Sequence, residues 1–266
     1  MEYKVLTNGF KIPMVGIGTN TFGKVNHDYM GDINMDIKEL LSAYENGYRL
    51  IDTAISYRNE KVIMKSIVDS GLKRSDVLVT SKIPLKELTD PVDEQIENHI
   101  QSSLDIFGGY VDIYLIHHPL DDQLNLKVWQ ALEKHYKLGH FKAIGVSNFN
   151  EAQLNYLMKH GNIKPMLNQI ESNPDNWQND LIDFCLKHEI TPVAWSPLKR
   201  VSKKEVFESI GKKYDKSWAQ VLLKYQVMRG VVVIPKSHDK TRQFDNINIF
   251  DFTLSKEDLT KIKENS

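Results

Sequence analysis

The sequence predicts a (β/α)8 barrel, built as one domain over residues 1–266 and preceded by an N-terminal β-hairpin. Three observations carry this expectation. Eight short runs ("MVGIGT", "YRLIDTA", "VLVTSKI", "DIYLIHH", "FKAIGVSN", "MLNQIES", "TPVAWSP" and "GVVVIPKS") are mostly apolar and rich in Val and Ile, as strands buried on both faces must be. Stretches of helical period separate them, in a chain of the length such barrels usually have. No linker, low-complexity tract or domain-scale repeat interrupts the series, whereas a doubly wound sheet seldom runs through eight units without a break.

The elements follow in order. In "KVLTNGFKIP", Asn8-Gly9 lies between two short apolar runs and predicts the hairpin turn. "MVGIGT" is the first barrel strand. Its Gly16-x-Gly18 continues as Thr19-Asn20-Thr21, and the next helical pattern begins only near Asp36. A dinucleotide fingerprint needs its helix to open at the glycines, so these two serve another purpose. Ile37, Leu40, Leu41 and Tyr44, and later Trp218, Val221, Leu222 and Tyr225, fall at i, i+3, i+4, i+7 and give helices an apolar face for the sheet. Gly47, Gly71, Gly139 and Gly161 follow such patterns as stops, while Ser217 with Gln220 and Ser255 with Asp258 predict capping boxes.

With 266 residues, 41% apolar and 26% charged, the chain can bury a full core. Its 34 Lys and Arg against 35 Asp and Glu leave a net charge of -1, so no basic field draws nucleic acid or anionic lipid, and neither partner is expected. Cys185, the only cysteine, excludes an internal disulfide and reads as a small core residue in "LIDFCLKHEI". The first residues carry an early acid and no apolar signal segment, and the longest aliphatic run is "VVVI" at 231–234. A cytoplasmic, unanchored protein is expected.

In a barrel, chemistry collects at the C-terminal strand ends. There the sequence places Asp52, Lys82, His117 with His118, Asn148, Gln169, and Lys236 with Ser237. Each alone has a bland reading, as a helix cap, a snorkelling cation or a satisfied core imidazole. Their convergence on one rim points to a site. Tyr57 lies in the loop just beyond Asp52, and a phenol near pKa 10 is favoured as phenolate beside an ammonium. Lys82 is therefore expected to lower Tyr57 toward neutrality, which takes roughly 4 kcal/mol, with Asp52 keeping Lys82 charged and pointed. His117 can donate a hydrogen bond to an incoming carbonyl oxygen. Together they make a tuned general acid. A metal-dependent hydrolase using His117, His118 and Asp52 is the competing reading. Adjacent strand residues point to opposite faces, so the two imidazoles should not share an ion, and no metal is expected.

"GYRLIDTAISYRNE" resembles the first signature of the aldo-keto reductases, and "LIHHP", "KAIGVSNF", "AWSPL" and "VVVIPKS" fall in order where that family has counterparts. The resemblance covers nearly the whole chain and implies a catalytic tetrad of Asp52, Tyr57, Lys82 and His117. It implies NADPH bound without a Rossmann fold, its hydride passing to an aldehyde or ketone. Ser147, Asn148 and Gln169 match positions that hold the nicotinamide carboxamide, and Trp195, often Tyr in relatives, matches the aromatic stacked on that ring. Ser196 and Leu198 follow it as further cofactor contacts. Lys236, Ser237 and Arg242 match residues around the adenosine 2'-phosphate, and Asp245 with Asn246 a Glu-Asn pair at the adenine.

The departures are informative. Met64 stands where the signature usually has Gly, and Asp245 is one methylene short of the usual Glu. His118 replaces a common Trp and Asn20 a common aromatic, both at positions that line the substrate pocket in relatives. A more polar pocket is implied, suited to hydroxylated or charged carbonyl compounds. The short "PLDDQLNLKVW" and the early C-terminus at Ser266 imply an open site with a broad range. The partner expected is a small carbonyl substrate, and the chain is expected to be a monomer. The alternative within the resemblance is an NADPH-holding regulatory or sensor subunit with little turnover.

Overall fold

The computed structural model describes residues 1–86, 88 and 92–265. The chain starts with the predicted hairpin, β1 (Tyr3–Val5) antiparallel to β2 (Lys11–Pro13). Gly9 turns it at φ +83°, a left-handed conformation that suits glycine, and Asn8 Nδ2 fixes it to the barrel by donating to the Lys142 carbonyl at 2.8 Å. Ile12, fully buried, shares the barrel interior with Leu50, Thr80 and Leu115 and so plugs the N-terminal end.

Eight parallel strands follow in sequential order: β3 (Ile17–Gly18), β4 (Leu50–Asp52), β5 (Leu78–Ile83), β6 (Val111–Ile116), β7 (Phe141–Ser147), β8 (Leu167–Glu171), β9 (Thr191–Trp195) and β10 (Val232–Ile234). Seven of the eight predicted runs contain one of them, and β6 begins one residue before its run, at Val111. The first is cut to two residues because its flanks close the barrel instead: Gly16 N donates to Val233 O at 2.9 Å and Gly18 N to Pro235 O at 3.1 Å. This closure is what Gly16 and Gly18 serve. A Cβ on Gly16 would sit 2.8 Å from the Leu50 side chain and 2.9 Å from its carbonyl oxygen.

Helices α1 (Lys38–Glu45), α2 (Glu60–Asp69), α3 (Val92–Phe107), α4 (Asp122–Lys137), α5 (Glu151–His160), α6 (Asn179–Lys187), α7 (Lys204–Tyr214), α8 (Trp218–Met228), α9 (Lys240–Ile247) and α10 (Lys256–Glu264) complete the described chain. Both predicted capping boxes form, Ser217 with Gln220 on α8 and Ser255 with Asp258 on α10. The α8 face pairs Val221, Leu222 and Tyr225 with Phe207 of α7 and Ile262 of α10 in an apolar cluster beside the main core. No helix among the described residues is long and apolar enough to cross a membrane.

Filling the space at Gly16 should force the closure apart. Gly16→Ala is expected to lower unfolding free energy by about 1–3 kcal/mol, the usual cost of overpacking a tight core. Urea denaturation measures it, and an unchanged midpoint would show that the seam has room to give.

Candidate active site

Asp52 ends β4 and lies in register between Gly18 on β3 and Thr80 on β5. Side chains two apart on a strand share a face, so Thr80 and Lys82 both face inward, as Asp52 does. Lys82 Nζ donates to Asp52 Oδ1 at 2.7 Å and to the Thr53 carbonyl at 2.9 Å. From β8, Gln169 Nε2 donates to Asp52 Oδ2 at 2.7 Å. Both carboxylate oxygens are thus engaged, which is what allows an ammonium with no exposed surface to stay inside the barrel. Burial pushes the Lys82 ammonium below its ordinary value, and Asp52 pulls it back.

Tyr57 closes a short 3-10 turn after β4, ended by Arg58 at φ +61°. Its ring centre lies 4.9 Å from Lys82 Nζ, and the His117 ring meets it edge-on at 5.5 Å. The expected lowering of the phenol does not occur. Burial, then the Asp52 charge, holds Tyr57 well above its ordinary value. Lys82 cannot overcome this, because Asp52 already neutralises much of its field and the phenolate would lose its water.

The two histidines correct a second expectation. Their rings stack at 4.5 Å with 15° between planes instead of pointing apart. Strand β6 ends at Ile116, so the alternation on which that expectation relied stops one residue before His117. Burial, with the nearby Lys82 and His118 adding to it, drives His117 down to about 2, so the ring is neutral through the physiological range. His117 Nδ1 is buried without a hydrogen-bond partner. Asp52 could not join these rings around an ion, since Lys82 and Gln169 occupy its two oxygens.

Asn148, just past β7 and held at φ +64°, organises the opposite wall. Its Nδ2 reaches the His117 carbonyl at 3.1 Å, His118 Nδ1 at 3.0 Å and Ser147 Oγ at 3.0 Å, while Trp195 Nε1 donates to its Oδ1 at 2.9 Å. Ser147 Oγ donates to the Gln169 carbonyl at 3.0 Å. A cleft of about 540 Å³ opens between these walls, lined by the four residues Asp52, Tyr57, His117 and His118, by Ser147, Asn148, Gln169, Trp195, Ser196 and Leu198, and by Asn20 and Lys236. Lys82 stands behind Asp52.

The residues matched to the adenosine end divide between the cleft rim and α9. Lys236 Nζ donates to Asn20 Oδ1 and Thr21 Oγ1, both at 2.9 Å. Ser237, Arg242, Asp245 and Asn246 do not line the cleft; Arg242 is exposed on α9, Asp245 is half-buried and Asn246 is buried. Tyr29, Ser56, Lys86 and Lys199 line the cleft without having been singled out in the sequence. Ser56 sits in the 3-10 turn before Tyr57 and the other three in irregular connections, where no long periodicity says which way a side chain faces. Tyr29, in the polar stretch "NHDYMGD", packs edge-on to Tyr57 at 5.9 Å.

Residues 14–266 match the family described as the Aldo/keto reductase family. The chain is 41% identical over 260 residues to the glyoxal reductase of Bacillus subtilis (strain 168), spanning 97% of this chain and 90% of that one. Among solved structures, the aldo/keto reductase from Brucella melitensis superposes with a TM-score of 0.90 at 36% identity, covering 100% of this chain and 99% of its own. A Bombyx mori aldo-keto reductase in complex with NADP gives 0.87 at 31% identity, covering 99% and 92%.

The Asp52–Lys82 pair makes a stability prediction. Lys82→Met strands a buried carboxylate and should cost about 3–5 kcal/mol, whereas Asp52→Asn/Lys82→Met removes both charges and should recover much of that loss. Chemical denaturation of the two single variants and the double compares them. Strictly additive costs would mean that the pair is not coupled.

Proposed function

The chain belongs to the aldo/keto reductase family, and we propose that it is an NADPH-dependent reductase of small polar aldehydes and ketones in which Tyr57 gives the proton. The observation that supports this most directly is one cleft holding a buried ammonium-carboxylate pair, a protonated phenol and a neutral imidazole side by side. The residues also suit the cofactor. Asn148 and Gln169 offer amides at the cleft wall, Trp195 offers a flat face, and Lys236 with the exposed Arg242 offers cations for a phosphate.

When bound, NADPH supplies a hydride to the carbonyl carbon. The neutral His117 donates a hydrogen bond to the carbonyl oxygen and holds it beside the Tyr57 hydroxyl. Negative charge then gathers on that oxygen, and an alkoxide is far more basic than a phenolate, so transfer from Tyr57 runs downhill even with the phenol raised. Lys82 steadies the phenolate left behind, and Asp52 keeps Lys82 charged. A lowered phenol is needed only for the reverse direction, in which Tyr57 must accept the proton.

Substrate choice follows from the polar walls. His118, Asn20, Lys86 and Lys199 stand where an apolar pocket would carry hydrocarbon, so compact, hydrated carbonyl compounds fit better than bulky aromatic ones. The glyoxal named for the Bacillus subtilis relative is of that kind.

Tyr57→Phe is expected to reduce carbonyl turnover about a hundredfold or more while NADPH affinity, read by fluorescence quenching, stays near wild type. In the wild type, reduction should hold level through neutral pH and fall only above pH 10, since Tyr57 keeps its proton to beyond its ordinary value; alcohol oxidation should climb with pH. A Tyr57→Phe enzyme retaining a tenth of its rate would end the proton-donor role.

Arg242→Ala tests the cofactor assignment. Loss of a charge-assisted contact to the 2'-phosphate should weaken NADPH binding by about one to two orders of magnitude and leave NADH unaffected, at one fixed ionic strength. Equal losses for both would move Arg242 away from the phosphate.

A further inference from the structure

We propose that His27, Glu39 and His238 form a binding site for one borderline divalent ion of the Zn2+ class, outside the catalytic cleft. Three separate segments bring these residues together: the connection after β3, the first turn of α1, and the connection after β10. His27 Nε2 lies 2.7 Å from Glu39 Oε1, and His238 Nδ1 lies 2.8 Å from the same oxygen. The two rings stack at 3.8 Å with 14° between planes. One ligand atom from each residue falls within 4.8 Å of the others, and no other trio of His, Cys, Asp or Glu among the described residues does so.

Two features favour an ion over a plain hydrogen-bond cluster. The backbone bends to deliver His27, with Asn26 at φ +55° and His27 at φ +52°, consecutive left-handed residues neither of which is glycine. His238 already has the outer partner that metal-bound imidazoles use, since its Nε2 lies 2.9 Å from Thr21 Oγ1.

Two imidazoles and a carboxylate are a donor set that zinc accepts in sites with an open fourth position. Bonds of about 2.0–2.1 Å in tetrahedral geometry set neighbouring ligand atoms about 3.3 Å apart, so each contact to Glu39 opens by about half an ångström, and one ring turns out of the near-parallel stack so that both in-plane lone pairs meet the ion. The step balances within the cluster. A ring nitrogen that donates N–H to Glu39 offers its lone pair to the ion once that proton has moved to the ring's other nitrogen. On His238 that proton then points to Thr21. Water fills the fourth position.

None of the three residues lines the cleft, yet the loop that starts at His27 carries Tyr29, which does. An ion here would therefore pin the loop bearing Tyr29 to the barrel rim. Thr21 also accepts from Lys236, so the site adjoins a cleft cation without using it.

The test is calorimetric titration of the metal-free full chain with ZnCl2 in a non-coordinating buffer, with melting temperature followed in parallel. One ion per chain should bind at micromolar Kd or tighter and raise the melting temperature. His27→Ala and Glu39→Gln should each weaken binding at least tenfold and abolish the thermal shift, while both melt cooperatively in EDTA. Glu39→Gln keeps an acceptor for the two rings and carries the test if His27→Ala does not fold. Binding weaker than about 100 µM, or tight binding that the variants leave unchanged, would overturn the proposal.

Discussion

An ammonium with no exposed surface is the constraint around which this barrel is arranged. Lys82 stays buried only because Asp52 meets it at 2.7 Å, and Asp52 stays buried only because Gln169, from the other side of the barrel, takes its second oxygen. Desolvating two charges costs several kcal/mol per ion unless every lone pair finds a donor. The requirement reaches outward from there. Because the Lys82 charge is largely answered by Asp52, little of it is left to draw a proton from Tyr57, and the phenol remains an acid at neutral pH. That arrangement would suit the proton donor proposed above, working in the reducing direction, where the substrate oxygen becomes the stronger base.

The cleft wall is set by a second polar network centred on Asn148. One amide joins the carbonyl of His117, the ring of His118, Ser147 and the indole of Trp195, in a left-handed conformation that asparagine tolerates better than most residues. Ser196, at φ +51°, repeats the strain without that excuse. Strained residues persist where surrounding contacts over-determine them, and they gather at binding sites. The cleft is accordingly pre-shaped: its imidazoles, indole and amide are oriented by one another before any ligand contributes.

Much of this was legible in the sequence, and the failures have physical causes. Strand runs buried on both faces and capping boxes at Ser217 and Ser255 report local chemistry, which sequence carries directly. Asp52, Lys82 and Gln169 were placed on the rim by the same logic, since a strand's C-terminal end in a barrel has one location. What pattern could not supply was the sum of opposing fields at Tyr57, because burial depends on every neighbour at once. Nor could it supply the orientation of His118, which turns on whether β6 ends at Ile116 or one residue later. Tyr29 and Lys199 were missed because connections have no period. Gly16-x-Gly18 was rightly refused as a phosphate loop, but its use as the barrel seam required β3 and β10 to be side by side.

The two ends of the barrel divide opposing demands. At the N-terminal end the hairpin seals the interior with Ile12, so water is kept from the apolar layers below Asp52. At the C-terminal end the interior opens into the cleft lined by Tyr57 and His117, where the proposed substrate would enter. The charged pair sits at the boundary, low enough to be dry and high enough to act on the cleft. Of the residues matched to the adenosine end, Lys236 stands at the cleft rim while Arg242, Asp245 and Asn246 lie on α9 beyond it, so the proposed cofactor would be gripped at its phosphate end by exposed cations and aligned at its reactive end by the half-buried Asn148 and the buried Gln169. Exposed contacts weaken with salt and exchange readily; buried ones fix geometry. Separating them lets cofactor affinity and reaction geometry vary independently on one barrel.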